Sequence, residues 1–344
     1  MPGPNVPFPP MEAELVRELP RGDDWQYEPK WDGFRGVLEN DGGELALWSR
    51  NERPLLRYFP ELRPLGDRLP AHSALDGEIV IARDGQLDFD SLQLRLHPAE
   101  SRIQRLAGEI PAEFIAFDML LWDGDALHRL PLEERRSELE RRADGFRLSP
   151  TSRDADQAEA WLDQLDPVGL DGVVCKQLGL PYLPGSREGV LKVKRHRTAD
   201  CVVVGLRWKA KPTAIATLLL GLYNDEGKID YVGTAAVAPS RHADIADRIL
   251  PLLEDAQERR FSEPNSWGTG ELEEAPVRPE VVVEVRYDKV QGRRFRHGTR
   301  LLRFRPDKDP AECTWRELRP PRRAGDLTVE SLLKTAQSSR AREG

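Results

Sequence analysis

The chain has 344 residues with 51 Lys and Arg against 59 Asp and Glu, a net charge of −8, and is 39% hydrophobic and 32% charged. That length suits two domains better than one. The balance of apolar and charged residues excludes a disordered chain, and with no apolar run near the ~20 residues of a membrane helix, a spanning segment is not expected.

The N-terminus, Met1-Pro2-Gly3-Pro4, has neither a basic segment nor an apolar core, so no secretion signal is expected. Cys175, Cys201 and Cys313 show no metal-ligand spacing and cannot all pair, which points to a reduced, cytosolic protein. Acidity overall argues against a nucleic-acid partner, but the distribution of charge matters more than its sum. Residues 293–305 hold six arginines and no acid, and Lys192-Val-Lys-Arg-His-Arg197 is a second basic cluster.

In chain order, residues 1–24 read as a lead-in segment with a short helix over Met11–Arg17. In Tyr27-Glu28-Pro29-Lys30-Trp31-Asp32-Gly33-Phe34-Arg35, one lysine has aromatic neighbours that would hold its stem, with a glycine and an arginine close behind. A lysine is a poor nucleophile while protonated, with an ordinary pKa near ~10.4. Burial or a nearby cation favours the neutral amine that attacks phosphorus. Taken alone, the stretch reads equally well as a solvated turn.

Phe34–Glu39 and Glu44–Ser49 alternate apolar and polar residues across Asn40-Asp41-Gly42-Gly43, a hairpin pattern. Strands are expected over Ala74–Ala82, Glu113–Leu121, Gly172–Lys176 and Val190–Lys194, with helices over Leu132–Ala143 and Asp154–Leu165. From Thr198 the character changes. Strands over Cys201–Val204, Ala214–Tyr223, Ile229–Ala236, Val281–Tyr287 and Leu301–Arg305, with a helix over Arg241–Leu253, fit an oligonucleotide-binding (OB) barrel or another small β-domain. Residues 258–279 read as a loop, and the last 25 or so as a tail or a docked helix.

Lys30 to Arg35 resembles the Lys-x-Asp-Gly-x-Arg signature of the covalent nucleotidyltransferases, the superfamily of ATP-dependent DNA ligases, RNA ligases and mRNA-capping enzymes. Further stretches resemble the later motifs in the same order: Ser49-Arg50-Asn51, Asp76-Gly77-Glu78, Phe117-Asp118, Asp171 to Lys176, Lys192-Val193-Lys194 and Arg305-Pro306-Asp307-Lys308. Tyr58-Phe59-Pro60-Glu61-Leu62, His97 to Arg102 and Val283 to Asp288 narrow the resemblance to the bacterial ligase C group, an accessory repair family. The resemblance implies an α+β chain. A nucleotidyltransferase core of ATP-grasp-like antiparallel sheets with helices would fill residues 25–197, an OB-fold barrel 198–318, and a basic tail 319–344.

It further implies that Lys30 takes AMP from ATP, passes it to the 5′-phosphate of a nick, and that the 3′-hydroxyl then displaces AMP. Lys192 and Lys194 would flank the α-phosphate, favour the neutral form of Lys30 by like-charge proximity and stabilise the transition state. Lys176 and Glu28 would lie by the nucleotide, Phe117 would stack on adenine, and Arg35 and Arg50 would meet phosphates. Glu78 and Asp171 would hold Mg2+ or Mn2+, although Asp171 departs from the glutamate common there. Arg305 and Lys308 would orient pyrophosphate from a barrel that swings about a hinge near Arg195 to Thr198. The implied partners are nicked duplex DNA and a repair polymerase or primase-polymerase, with the ligase itself a monomer of the bacterial cytosol. The alternatives are a capping guanylyltransferase using GTP, a ligase module of an end-joining protein, and a DNA-binding scaffold with a degenerate site.

Overall fold

The computed structural model describes residues 4–165, 168–194, 197–210, 214–254, 273–318 and 327–334. Much of the expected 258–279 loop, most of the C-terminal tail and part of the 195–198 hinge lie outside the described residues. The chain divides into two compact units, residues 1–195 with 321–344, and residues 196–320.

In the first unit the strands are β1 (Glu14–Val16), β2 (Trp25–Pro29), β3 (Phe34–Asn40), β4 (Leu45–Ser49), β5 (Ser73–Val80), β6 (Ala82–Arg83), β7 (Gln86–Leu87), β8 (Glu113–Leu121), β9 (Arg147–Leu148), β10 (Val173–Gln177) and β11 (Val190–Val193). The helices are α1 (Phe89–Leu94), α2 (Glu100–Glu109), α3 (Leu132–Arg142) and α4 (Ala155–Gln164). They build a four-stranded sheet, β1-β11-β10-β2, and a five-stranded sheet, β4-β3-β5-β8-β9.

Successive strand side chains point to opposite faces, and the small sheet uses this alternation to keep its charges off the core face. Tyr27, Val173, Cys175 and Val193 enter one hydrophobic cluster with Trp161 and Leu162 of α4. The residues between them, Glu28, Val174, Lys176, Val190 and Lys192, line a cavity on the other face. Neither α1 nor α2 is foreseen from the pattern. They enclose Arg95, which is fully buried and donates to both Glu61 oxygens at 2.5 and 2.9 Å. The Tyr58–Leu62 stretch thus serves the core.

The helix expected over Met11–Arg17 is corrected. Residues 14–16 form β1, which pairs in parallel with β11, so the edge of a sheet outweighs local helix preference. At the other end, Val329, Leu332 and Leu333 are buried in the same cluster as Trp161, and Val329 N–H donates to the Gly85 carbonyl at 3.0 Å. Of the two readings of the C-terminus, docking holds for residues 327–334.

The second unit contains β12 (Arg197–Ala210), β13 (Ala214–Tyr223), β14 (Ile229–Ala236), α5 (His242–Ile249), β15 (Glu274–Pro276), β16 (Val282–Tyr287), β17 (Val290–Gln291), β18 (Arg294–Phe295) and β19 (Thr299–Phe304). The order β13-β14-β19-β16-β12 closes on itself because β12 also pairs with β13, giving a five-stranded OB barrel with β15 added outside β12. β12 is long enough to serve both partners. Its first half pairs with β16 and its second with β13, across register shifts at Val203/Gly205 and Arg207/Trp208.

Three Asp-Gly pairs mark close backbone approaches in the first unit. A Cβ on Gly33 would lie 2.1 Å from the Ile79 carbonyl oxygen, one on Gly77 2.5 Å from that of Ile115, and one on Gly172 2.1 Å from that of Val193. A backbone oxygen cannot swing aside as a flexible side chain can. Gly172→Ala is therefore expected to destabilise the first unit by about 1–3 kcal/mol, the usual range for overpacking, read as a lowered midpoint in thermal unfolding.

Candidate active site

A cavity of about 230 Å³ opens between the two sheets of the first unit. Lys30 follows β2 directly, and its N–H donates to the Gly172 carbonyl at 2.9 Å, which joins the first lysine motif to the Asp171-Gly172 turn. Its neighbours are anchored. Tyr27 is fully buried with its hydroxyl donating to the Pro20 carbonyl, and Trp31 Nε1 donates to Ser149 Oγ at 2.9 Å. Anchored in this way, the Lys30 stem projects from a rigid base.

Lys30 Nζ lies 2.9 Å from Asp171 Oδ1, and Lys194 Nζ lies 2.6 Å from Asp171 Oδ2. Burial disfavours the Asp171 charge, yet the two ammoniums hold its pKa down to about 2. Both Asp171 oxygens are thus engaged by ammonium groups, Oδ1 by Lys30 and Oδ2 by Lys194. Like-charge proximity acts on Lys192. Burial first, then the charges of Lys30, Lys194 and Arg187, lower its pKa against the pull of Glu12.

Glu78 Oε1 accepts from Gly33 N–H at 3.1 Å. Burial pushes its pKa up to about 7. Arg35 and Lys30 oppose the rise, and the carboxylates of Asp32 and Asp76 add to it. Glu78 and Asp171 thus both stand beside Lys30. Among the described residues no three His, Cys, Asp or Glu side chains converge on a metal position. Two carboxylates, Glu78 and Asp171, fit a hard divalent cation that takes its other oxygens from phosphate and water.

The remaining cations have partners that the motifs do not reveal. Arg35 donates to Asp76 through Nε and Nη2, each at 2.6 Å, so its fork is held by a fully buried carboxylate. Lys176 pairs with Glu28 at 2.7 Å, and Gln26 Nε2 also donates to Glu28. Arg35 and Lys176 stand 4.5 and 4.6 Å from the centroid of the Phe117 ring, which is itself largely buried. Asp118 also lines the cavity, where it is held in a buried pair with Arg135 at 2.8 and 3.0 Å. Arg50 is exposed at the cavity edge.

The lead-in segment forms part of the cavity wall, with Pro10, Met11, Glu12 and Ala13 lining it. Tyr182 ties this strap to the motifs: its hydroxyl accepts from Met11 N–H at 3.0 Å and donates to Asp76 Oδ2 at 2.7 Å. Alternation along β5 could have placed Asp76 on the face of Glu78; nothing local marks Met11 or Tyr182. In the second unit, Arg305 and Lys308 come together on Asp200. Arg305 Nη1 donates to its two oxygens at 3.0 and 2.8 Å, and Lys308 Nζ donates to Oδ2 at 2.9 Å. Of the basic stretch, Arg293 lies 3.3 Å from Asp230 and Arg303 2.6 Å from Glu284, so part of its charge is already paired within the barrel.

The family model described as ATP dependent DNA ligase domain matches residues 10–194, and the one described as ATP dependent DNA ligase C terminal region matches residues 211–308. DNA ligase C2 of Mycolicibacterium smegmatis is 43% identical, over 94% of this chain and 97% of that protein. DNA ligase C of Mycobacterium tuberculosis is 40% identical, over 92% and 94%. A solved structure from work on Lig E DNA ligases shares the fold at a TM-score of 0.53 and 17% identity, over 86% of this chain and 100% of that one.

The unfolded chain releases the Glu78 proton near 4.5, whereas the fold retains it to about 7. The stabilisation this contributes is therefore complete below 4.5 and is lost as pH climbs through 7. Wild type is expected to lose thermal stability relative to Glu78→Gln between pH 5 and pH 8, and a carboxyl carbon resonance titrating near 7 should vanish in that variant.

Proposed function

The chain belongs to the ATP-dependent DNA ligases and seals 5′-phosphate/3′-hydroxyl nicks with ATP as the AMP donor, and we propose that Lys30 is the residue that carries the AMP. The observation that carries this reading is the placement of Lys30 Nζ in the cavity, against Asp171 and beside Glu78, Lys192 and Lys194. Lys30, as the neutral amine, attacks the α-phosphorus of ATP; the N–P bond forms and the bond to pyrophosphate breaks. A phosphate oxygen of the nick then attacks the same phosphorus and Lys30 leaves. The 3′-hydroxyl finally attacks the DNA 5′-phosphate and AMP departs.

Asp171 aims the lysine, since its carboxylate is the fixed point between Lys30 and Lys194. Lys192 and Lys194 spread the charge that develops on the α-phosphate, a contribution that fixed charges make well in a site shielded from water. Glu28 and Lys176, locked to each other beside Phe117, form the base end of the cavity. Arg35, held by Asp76, and Arg50 at the rim serve the phosphates. Glu78 and Asp171 would hold Mg2+ or Mn2+, which when bound neutralises phosphate charge and makes the phosphorus more electrophilic. Arg305 and Lys308 serve the first step by orienting pyrophosphate. The cell context we propose is accessory repair in the bacterial cytosol, on nicked duplex left by a repair polymerase or primase-polymerase, with the ligase acting as a monomer.

The test is incubation with ATP labelled at the α-phosphate, alongside labelled GTP and the Lys30→Ala variant, after pyrophosphate treatment to strip any AMP already bound. Label from ATP that is absent in the variant, and that moves to a nicked duplex, is the expected result. Label from GTP alone would turn the reading to a capping-type enzyme, and retention of label by Lys30→Ala would remove Lys30 from its role.

A further inference from the structure

We propose that Asp200 is a positioning residue for the first chemical step, acting by holding Arg305 and Lys308 together as one doubly cationic unit. This rests on the reading that those two cations serve the departure of pyrophosphate.

The geometry lies wholly within the barrel. Asp200 Oδ2 is shared by Arg305 Nη1 at 2.8 Å and Lys308 Nζ at 2.9 Å. The three side chains are only 10, 20 and 13% exposed. Two cations brought to one oxygen repel each other, and more strongly where water is excluded; the carboxylate between them makes the arrangement stable. Asp307 cannot substitute. It accepts from Nε and Nη2 on the other edge of the Arg305 fork and is 60% exposed.

Asp200 is also out of place by the usual pattern of a barrel strand. On β12 it sits between Ala199 and the run Cys201 to Val204, all buried. Its register partner on β16 is Glu284, another acid, whose carboxylate is taken up by Arg303. A buried carboxylate costs stability unless it is paired, and an apolar residue commonly serves a core at least as well. The carboxylate is explained by what it holds. When the Lys30 N–P bond forms and the bond between the α- and β-phosphates breaks, the electron pair goes to pyrophosphate. Cations already fixed at the right spacing stabilise that charge without reorganisation. Asp200 never touches the substrate. In the last step AMP leaves and no pyrophosphate forms, so Asp200 has nothing to position.

The experiment measures two rates for the full chain and for Asp200→Asn, Asp200→Glu, Arg305→Ala and Lys308→Ala. One is single-turnover formation of enzyme-bound AMP from ATP; the other is sealing of a nick that already carries a 5′-adenylate. Misplacement of the cations in Asp200→Asn is expected to slow the first by up to about 10²-fold and to leave the second within about twofold. Asp200→Glu keeps the charge but moves it by one methylene, and is expected to fall between wild type and Asp200→Asn in the first rate alone. It also decides the matter if Asp200→Asn fails to fold. Equal loss in both rates, or no loss in the first, overturns the proposal. If Arg305→Ala and Lys308→Ala also form enzyme-bound AMP at the wild-type rate, the reading of those two cations fails; if they are slow and the Asp200 variants are not, the inference about Asp200 fails by itself.

Discussion

One buried carboxylate, Asp171, governs the arrangement of the site. It stands between the ammoniums of Lys30 and Lys194, and the backbone oxygen of its neighbour Gly172 accepts from Lys30 N–H. Without it, two lysines from distant parts of the chain would face each other uncompensated at the edge of a low-dielectric cavity. With it, the Lys30 side chain is held in place and its charge is balanced. The shorter side chain at this position does not withdraw the carboxylate from the lysines; it is in direct contact with both.

That placement requires strands to approach more closely than most residues allow. Each of the three Asp-Gly pairs puts a glycine where a Cβ would strike a backbone carbonyl, so the strands and turns that carry these aspartates and Glu78 meet by close backbone contact. The alternation of β2, β10 and β11 then assigns apolar residues to the core under α4 and charged ones to the cavity. Fold and site are built by one periodicity. An inserted residue in any of these strands would exchange the two faces.

A second feature common to both units is that cations are presented by acids. Arg35 is held by Asp76, Lys176 by Glu28, Lys194 by Asp171, and Arg305 with Lys308 by Asp200. A phosphate-handling protein needs positive charge at fixed positions, and long basic side chains lose much rotamer freedom when fixed. Pairing each with a short carboxylate on a strand meets that need. It also explains how a chain of net charge −8 can carry a cationic chemistry.

Much of this protein was legible in its sequence. Glu113–Leu121, Ala214–Tyr223 and Ile229–Ala236 are strands with the expected bounds, because alternation and flanking turns are local signals. The ordered motifs identified the family, because their chemistry demands particular residue types at short spacing. Only the tertiary structure decided what each of those residues touches. Residues 14–16 became a strand on β11, where a helix was expected, and Met11 became part of the cavity wall. Arg35 met an acid 41 residues away, and Arg305 one 105 residues away. Local periodicity specifies which face of an element a side chain occupies; its partner across the fold depends on how sheets and turns pack, and that is settled only when the whole chain has closed.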